Sequence, residues 1–211
     1  MEKYLILLVL WMLVSVTYLK LPTTVNYMIR LSDIVISFFG LLFLSPLMIV
    51  LILIGFCDTS SPIFAQERIG KHKRPFQLYK FRSMYVNTQS VATHLANISS
   101  VTKYGRFLRR SKLDELPQLF NVLLGDMSLV GPRPNLFNQE ELIAERKKRG
   151  VYDVVPGITG LAQINKIDMS TPQLLAETDA NMIQELNTLG YFKYIFLTVF
   201  GKGFGDRIKK E

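Results

Sequence analysis

Two long apolar stretches occupy the first part of the chain. Residues 4–19 contain no charged side chain, and neither do residues 34–56. The first stretch is slightly shorter than the roughly 20 residues that a helix needs to cross about 30 Å of hydrocarbon, whereas the second is long enough. We therefore predict an N-terminal membrane anchor and linker at residues 1–29 and a second membrane segment at residues 30–58. A cleaved signal peptide is the alternative for the first stretch, but the residues that follow it are not the small ones of a cleavage site.

The second stretch is interrupted near its middle by Pro46. Proline removes one backbone donor and disfavours helical angles at the residue before it, here Ser45. Each half of the stretch would be roughly 17 Å long, which is too short to cross alone. Two structures remain open: a kinked helix that spans, or a helix-break-helix hairpin that enters and leaves on the same side. Because almost all Lys and Arg follow residue 56, residues 59–211 are predicted to form a cytoplasmic domain.

The pattern after the apolar stretches predicts a small, mainly helical α+β domain with a short β element. Apolar and polar residues alternate from Phe76 onwards, which predicts a strand with Lys80 and Arg82 on one face. Residues 135–150 are rich in Glu, Lys and Arg, so we expect a solvated helix with no chemistry of its own. Residues 191–204 mix aromatic side chains with lysines, which fits either a helix lying on a membrane surface or one packed into the core.

An adjacent pair of carboxylates, Asp114 and Glu115, comes shortly before Pro117. Proline is tolerated in the first turn of a helix, so we predict a helix over residues 115–124 that ends at Gly125, with Asp114 near its N-cap. The simplest interpretation makes Asp114 a cap and Glu115 a first-turn acid that the helix dipole favours. The predicted buried face of this helix consists of Leu116, Leu119, Phe120 and Leu123.

Composition adds a strong positive charge. The chain of 211 residues has a formal net charge of +8. Between residues 67 and 113 the only acid is Glu67, against a run of basic residues, and this asymmetry favours contact with anionic headgroups or phosphates. One cysteine excludes an intramolecular disulfide, and His72 and His94 offer no zinc-ligand spacing. No nucleic-acid-binding module is recognisable, so nucleic acid is not an expected partner. The basic residues of the run are Arg68, Lys71, Lys73, Arg74, Lys80, Arg82, Lys103, Arg106, Arg109, Arg110 and Lys112.

Several cations are placed to hold phosphates. Lys80 and Arg82 would offer two charges to a diphosphate, although an edge strand kept soluble by its charges is the alternative. Residues 125–134 and 156–160 are rich in Gly and Pro and are predicted to be turn clusters. In the first cluster Arg133 lies between two prolines, which fix the backbone, so that the guanidinium is presented rigidly for phosphate recognition.

Cations also precede the carboxylate pair. Arg109, Arg110 and Lys112 come just before Asp114, so an ionised carboxylate would lie among phosphate-binding groups. The N-terminus of a helix in addition offers free N–H groups to an anion. A carboxylate in such a setting can act as a nucleophile toward phosphorus, which makes Asp114 a candidate catalytic residue as well as a cap.

Five ordered blocks of sequence resemble the bacterial sugar transferase family of monotopic polyprenol-phosphate phosphoglycosyl transferases. The blocks read QERIG, KFRSM, LRRSKLDELPQL, GDMSLVGPRP and PGITGLAQ, and the match covers roughly residues 30–207 in order. The resemblance implies a re-entrant helix broken at Ser45 and Pro46, which favours the hairpin. It also implies a covalent phosphosugar intermediate on Asp114, assisted by Glu115.

The resemblance further implies the substrates and the cofactor. Phosphate-binding positions of the family correspond to Lys80, Arg109 and Arg133, and Mg²⁺ would be held by Asp114 and Glu115. The implied reaction moves a sugar-1-phosphate from a UDP-sugar to polyprenol (undecaprenyl) phosphate, as the first step of glycan assembly. Membrane lipids and downstream glycosyltransferases are the further implied partners. The implied location is the bacterial inner (cytoplasmic) membrane, with the catalytic domain facing the cytoplasm.

The sequence departs from the family pattern in two places. Of the usual basic pair before the re-entrant segment only Arg30 is present, and after Gln163 the usual arginine is missing, with Lys166 nearby. Two functions from other classes remain open: a catalytically inactive membrane-tethered scaffold, and a basic adaptor that binds lipid or nucleic acid. The adaptor would be indifferent to an Asp114→Asn change.

Overall fold

A 37-residue helix, α1 (Thr23–Thr59), leads into the rest of the fold in the computed structural model, which describes residues 23–88 and 98–200. The first apolar stretch and the last residues of the segment 191–204 lie outside the described residues. The predicted α+β class, mainly helical with a short β element, is confirmed. The elements after α1, which together form the lobe, are β1 (Ile63–Ile69), β2 (Pro75–Phe81), α2 (Lys103–Ser111), α3 (Gln118–Leu124), β3 (Ser128–Val130), α4 (Glu140–Lys148), β4 (Gly157–Thr159), α5 (Leu161–Ile164), α6 (Pro172–Glu185) and α7 (Thr188–Val199).

The outer face of α1 is apolar. Large side chains on this face are exposed, among them Phe38, Phe43 and Leu53. The charged residues Arg30 and Asp33 instead face the lobe and are buried. Within the described ranges, α1 is the helix that is long and apolar enough to cross a membrane. A soluble surface helix has its polar face outwards, so this reversed distribution is consistent with contact to lipid.

Ser45 and Pro46 lie inside α1 without ending it. Pro46 has no N–H to offer to the carbonyl of Leu42, four residues earlier. The Ser45 hydroxyl donates to that carbonyl at 2.8 Å and satisfies the acceptor that the proline leaves open. The helix therefore continues through this pair, and the predicted break into two helices is not confirmed.

The N-terminal part of α1 is held to the lobe by buried polar bonds. Arg30 Nη1 and Nη2 donate to the carbonyls of Val122 and Leu123 at 2.6 and 3.1 Å, in the last turn of α3. Carbonyls in a last turn lack partners within their helix, and the negative end of the helix dipole attracts a cation. Asp33 Oδ1 accepts a hydrogen bond from the hydroxyl of Tyr191 in α7 at 2.7 Å. Both charges in the N-terminal part of α1 are thus used to attach it.

The C-terminal part of α1 contacts the same lobe. The Tyr104 hydroxyl donates to the carbonyl of Leu51 at 2.7 Å, and the Thr102 hydroxyl donates to Asp58 Oδ2 at 2.7 Å. Arg30 and Leu51 are about 32 Å apart along an ideal helix. The lobe therefore contacts α1 at two points separated by about the thickness of a hydrocarbon core.

β1 and β2 form an antiparallel hairpin in which every residue of one strand is paired with the other. The strand predicted from Phe76 onwards is confirmed as β2, and Lys80 lies within it. The strand ends at Phe81, one residue before Arg82. The N–H of Arg82 donates to the carbonyl of Pro62 at 2.7 Å, which closes the open end of the hairpin.

The buried face of α3 differs from the prediction. Phe120 is 48% exposed, whereas Asn121 is completely buried. The Asn121 side chain donates to the carbonyl of Gln77 at 2.6 Å and accepts from the N–H of Tyr79 at 3.1 Å. It therefore bonds the edge of β2 much as a neighbouring strand would, which turns Phe120 outwards. The predicted helix end at Gly125 is confirmed by its left-handed φ of 96°.

A second sheet forms in segments that were predicted to be turns. β3 and β4 pair in parallel, with Ser128 opposite Gly157 and Val130 opposite Thr159. The backbone at Gly157 lies very close to the backbone at Gly131, which follows β3. A Cβ at Gly157 would be only 2.0 Å from the nitrogen of Gly131. This glycine thus allows contact that any side chain would prevent. Around the pair lies the largest core cluster, formed by Ile29, Leu78, Val122, Met127, Leu129, Val130, Met182, Leu186 and Tyr191.

The helix expected within residues 135–150 forms as α4, but the expectation that it is solvated is wrong for its inner face. The inner face of α4 buries Leu142 and Arg146, which are each 1% exposed. Leu142 packs in a cluster with Leu175 of α6. The charge-rich composition of α4 hid this face, because one of its two innermost side chains is itself an arginine.

Candidate active site

Asp114 and Glu115 lie in a 3-10 turn, Leu113–Glu115, between α2 and α3. The residue before the turn, Lys112, has a φ of 59°, in the left-handed region that few residues other than glycine adopt. This left-handed residue ends α2, and the turn that carries the carboxylate pair follows at once. Asp114 is not the N-cap of α3 as predicted, because Pro117 occupies that position. The pair is therefore presented from a turn of its own.

Glu115 joins two cations that come from different parts of the chain. Its Oε1 lies 2.9 Å from Arg133 Nη2 and 3.4 Å from Lys80 Nζ. Lys80 belongs to β2, and Arg133 to the connection that follows β3. Asp114 and Glu115 are 2% and 9% exposed, and charges interact more strongly away from bulk water. Three of the predicted site residues are thus in direct contact around one carboxylate oxygen.

The segment that carries Arg133 is fixed through its main chain. The N–H of Gly131 donates to the carbonyl of Thr159 at 2.8 Å. The next four carbonyls, those of residues 132–135, each accept a hydrogen bond. The segment predicted to be rigid because of its prolines is therefore also bonded at every one of these carbonyls. In chain order the donors are Gly157 N (2.9 Å), Arg146 Nη1 (2.9 Å), Arg68 Nη1 (3.2 Å) and Ile69 N (3.0 Å).

One of these donors belongs to a buried ion pair. Arg146 Nε and Nη2 both donate to Asp179 Oδ2, at 3.0 and 2.6 Å. Its Nη1 donates to the carbonyl of Arg133 and also to Asn135 Oδ1, each at 2.9 Å. Burial raises the pKa of the Asp179 carboxyl, and the charge of Arg146 acts in the opposite direction. The ion pair thus contacts the main chain of the segment that presents Arg133, through the bond from Arg146 Nη1 to the Arg133 carbonyl.

Arg109 lies in the last turn of α2. Its Nε donates to the hydroxyl of Ser83 at 2.8 Å. α2 packs very closely against the backbone of Ser83. A Cβ at Gly105 would be only 2.0 Å from the carbonyl oxygen of Ser83. In the chain Arg109 comes five residues before Asp114, at the end of α2. Its predicted contact with phosphate remains a prediction.

Arg82 is directed elsewhere. Its guanidinium donates to the carbonyls of Ser61 and Ile63 at 2.7 and 3.3 Å, and it lies over the ring of Phe64 at 5.4 Å. These contacts hold the connection between α1 and β1. The structure therefore brings Lys80 to the carboxylate pair but not Arg82.

A divalent cation would find two adjacent carboxylates here. In phosphoryl-transfer sites Mg²⁺ is held by one or two carboxylates together with substrate phosphates and water. Asp114 and Glu115 fit that pattern. In the described part of the chain no group of three or more His, Cys, Asp or Glu side chains is suited to a metal. Mg²⁺ therefore remains a prediction, in which the two carboxylates would share the ion with a phosphate-bearing substrate.

The sequence reasoning missed the residues that support the site from behind. Asp179 is 1% exposed and occurs on a face of α6 that also carries Leu175, Ala176 and Met182. An isolated acid on an otherwise apolar helix face is the signal that could have indicated a buried partner. Arg146 repeats the position of Leu142 one helical turn later, which is the corresponding signal in α4.

Known proteins similar to this chain include several transferases. Residues 24–203 match the family described as bacterial sugar transferase. The chain is 43% identical over 187 residues to the UDP-glucose:undecaprenyl-phosphate glucose-1-phosphate transferase of Klebsiella pneumoniae, with 83% of this chain and 40% of that protein covered. It is 39% identical over 172 residues to the undecaprenyl-phosphate galactose phosphotransferase of Salmonella typhimurium, with 69% and 35% covered. It is 37% identical over 197 residues to the exopolysaccharide production protein PSS of Rhizobium leguminosarum, with 83% and 97% covered. The chain thus spans less than half the length of the first two relatives.

Proposed function

The chain belongs to the bacterial sugar transferase family, and on that premise we propose that it transfers a sugar-1-phosphate from a UDP-sugar to polyprenol phosphate. The names of two relatives, a glucose-1-phosphate transferase and a galactose phosphotransferase, both include undecaprenyl phosphate. The observation that carries the proposal is the contact of Glu115, next to Asp114, with Lys80 and Arg133. This arrangement combines a candidate nucleophile with cations for a diphosphate.

In the first step a carboxylate oxygen of Asp114 attacks the phosphorus that bears the sugar. The new bond is an acyl phosphate, and the bond between that phosphorus and the bridging oxygen of the diphosphate breaks, which releases UMP. In the second step an oxygen of polyprenol phosphate attacks the same phosphorus and releases the Asp114 carboxylate. The product is a polyprenol diphosphate sugar. Two displacements of this kind divide one transfer between large substrates into two steps with separate leaving groups.

Lys80 and Arg133 stabilise the charge on the transferring group. Both cations contact Glu115 Oε1. Arg133 has the most exposed side chain of the three, at 21%, so it is the one that an incoming diphosphate reaches first. A diphosphate offers two negative centres and competes with the single carboxylate for both cations. Mg²⁺, held by Asp114 and Glu115, would neutralise further phosphate charge when bound.

The lipid substrate requires a site at the membrane surface, and α1 provides the means to reach it. The exposed face of α1 is apolar, while its two ends contact one lobe. If α1 crossed the bilayer, one of these contacts would lie on the far side of the hydrocarbon. We therefore propose that both ends of α1 face the cytoplasm, at the inner membrane. α7 adds an exposed apolar stripe for the interface, formed by Leu189, Phe192, Phe196, Val199 and Phe200.

This topology is tested by labelling a Tyr27→Cys variant, which adds a thiol near the start of α1 to the native Cys57 near its end. Both positions are exposed. An impermeant maleimide should label both thiols in inverted vesicles and neither in spheroplasts. Labelling of one thiol in each preparation would mean that α1 spans.

The reaction is tested by measuring UMP release by the detergent-purified full chain with polyprenol phosphate, Mg²⁺ and a panel of UDP-sugars. Release that is lost in Asp114→Asn and after chelation of the metal would support the transferase. Glu141→Gln is the matched control, because this carboxylate is exposed on α4. If no donor gives Asp114-dependent release, the proposed reaction is wrong for this chain and the inactive scaffold becomes the better account.

A further inference from the structure

We infer that Asp179 and Arg146 are positioning residues that act on the reaction through Arg133. The inference rests on the proposed function for its kinetic consequences, but its structural content does not depend on it. Neither residue contacts the carboxylate pair. Arg146 bonds the main chain of the segment that presents the Arg133 guanidinium, and Asp179 acts on that segment through Arg146.

Arg146 connects Asp179 to the main chain of Arg133. Arg146 is 1% exposed, and its side chain donates to three acceptors: Asp179 Oδ2, Asn135 Oδ1 and the carbonyl of Arg133. The planar guanidinium fixes the directions of its N–H groups relative to one another. Because Asp179 holds Nε and Nη2, it also determines where Nη1 points. The carbonyl of Arg133 is therefore aligned by the ion pair.

Burying these charges has an energetic cost. A buried ion pair contributes little net stability, since removal of both charges from water offsets their attraction. Asp179 Oδ1 also has no hydrogen-bond partner among the described residues, which adds to that cost. Stabilisation of the fold is thus a weak explanation for the pair. Orientation of a neighbouring carbonyl is a function that an apolar pair of the same size cannot perform.

The carbonyl of Arg133 is connected to the site through the residue's own side chain. The side chain and the carbonyl of Arg133 belong to one residue in a segment whose neighbouring carbonyls are all bonded. A shift of the Arg133 peptide therefore moves its Cβ, and with it the 2.9 Å contact between Arg133 Nη2 and Glu115 Oε1. Misplacement of a phosphate-binding cation by about 1 Å can cost roughly 10²-fold in rate.

The test is a double-mutant cycle in kcat/KM that combines Asp179→Asn with Arg133→Ala. Asp179→Asn alone should lower kcat/KM about 10- to 100-fold, mainly through kcat. In the Arg133→Ala background the same change should have an effect of less than about 2-fold, because the group on which it acts is absent. Equal effects in both backgrounds would overturn the inference.

Two further variants separate positioning from loss of fold. Leu175→Ala removes packing between α4 and α6 without touching the Arg133 segment, so it should lower the melting temperature while leaving kcat/KM close to wild type. The double change Arg146→Met with Asp179→Leu removes both charges and should fold. Its kcat/KM should nevertheless stay as low as that of Asp179→Asn. Full activity in this double variant would contradict a positioning function.

A readout without turnover distinguishes failure of this inference from failure of the proposed function. If the ion pair places Arg133 against Glu115, then Glu115→Gln should lower the melting temperature in the wild type more than in Asp179→Asn. The expected difference is about 2 °C or more. Additive shifts would overturn the positioning function whatever reaction the protein catalyses. Absence of UMP release in the wild type together with non-additive shifts would overturn only the reaction.

Discussion

Two carboxylate–cation groups lie on either side of Arg133, and they differ in their access to solvent. In the front group Glu115 contacts Arg133 and Lys80, whose side chains are 21% and 9% exposed. In the rear group the side chains of Arg146 and Asp179 are 2% and 1% exposed. A partly exposed pair can exchange its partner for a substrate anion, whereas a sealed pair cannot. The same pair chemistry therefore serves binding at the front and alignment at the rear.

Arg133→Ala should have the largest effect on the front group. It removes the cation that a diphosphate reaches first, and we expect a roughly 10²- to 10³-fold loss in kcat/KM, as for other preorganised charge-stabilising groups. Arg133→Lys keeps the charge but cannot form the bidentate hydrogen bonds of a guanidinium. Its kcat/KM should therefore lie between those of Arg133→Ala and the wild type. Steady-state UMP release measures both. A loss of less than about 3-fold in Arg133→Ala would show that the front group is not part of the catalytic site.

Lys80 and Arg82 provide a sharper comparison within one strand and its end. Lys80→Met should lower kcat/KM about 10-fold or more, because Lys80 contacts Glu115. Arg82→Gln should change it by less than about 3-fold, since the Arg82 guanidinium holds the connection between α1 and β1. The melting temperature should respond in the opposite order. Equal losses of activity would mean that both cations bind phosphate, as the sequence alone suggested.

Ionic strength should separate the two groups by a smaller effect. Salt screens exposed charges far more than buried ones. Between about 0.05 and 0.5 M NaCl the KM for the nucleotide sugar should rise several-fold, because the front group must attract an anion through solvent. The change in melting temperature caused by Asp179→Asn should stay about the same at the higher salt, since the rear pair is sealed. A change that shrinks markedly with salt would mean that the rear pair is screened as well.

The sequence predicts the front group better than the rear one. Asp114, Glu115, Lys80 and Arg133 stand in motifs whose charges and prolines imply phosphate chemistry, and three of them meet around one oxygen. A buried pair such as Arg146 and Asp179 joins two residues that are 33 positions apart on different helices, and local periodicity does not indicate which helices will pack.

The fold shows the same limit. Alternation predicts β2, because its pattern is local, but the edge of β2 is bonded by the Asn121 side chain, which no helical pattern distinguishes from a solvent-facing amide. β3 and β4 are three residues each and pair across 29 positions, too short for periodicity to detect. At Ser45 and Pro46 the sequence indicates a lost hydrogen bond, but not that the serine hydroxyl replaces it.

The most direct test of the central claim is intact-protein mass spectrometry of the full chain mixed with a reactive UDP-sugar and Mg²⁺ without polyprenol phosphate. We predict an added mass of one sugar phosphate on the wild type, none on Asp114→Asn, and loss of the adduct when polyprenol phosphate is added. Formation of the polyprenol diphosphate sugar by an Asp114→Asn variant, with no adduct at any time on the wild type, would contradict the account.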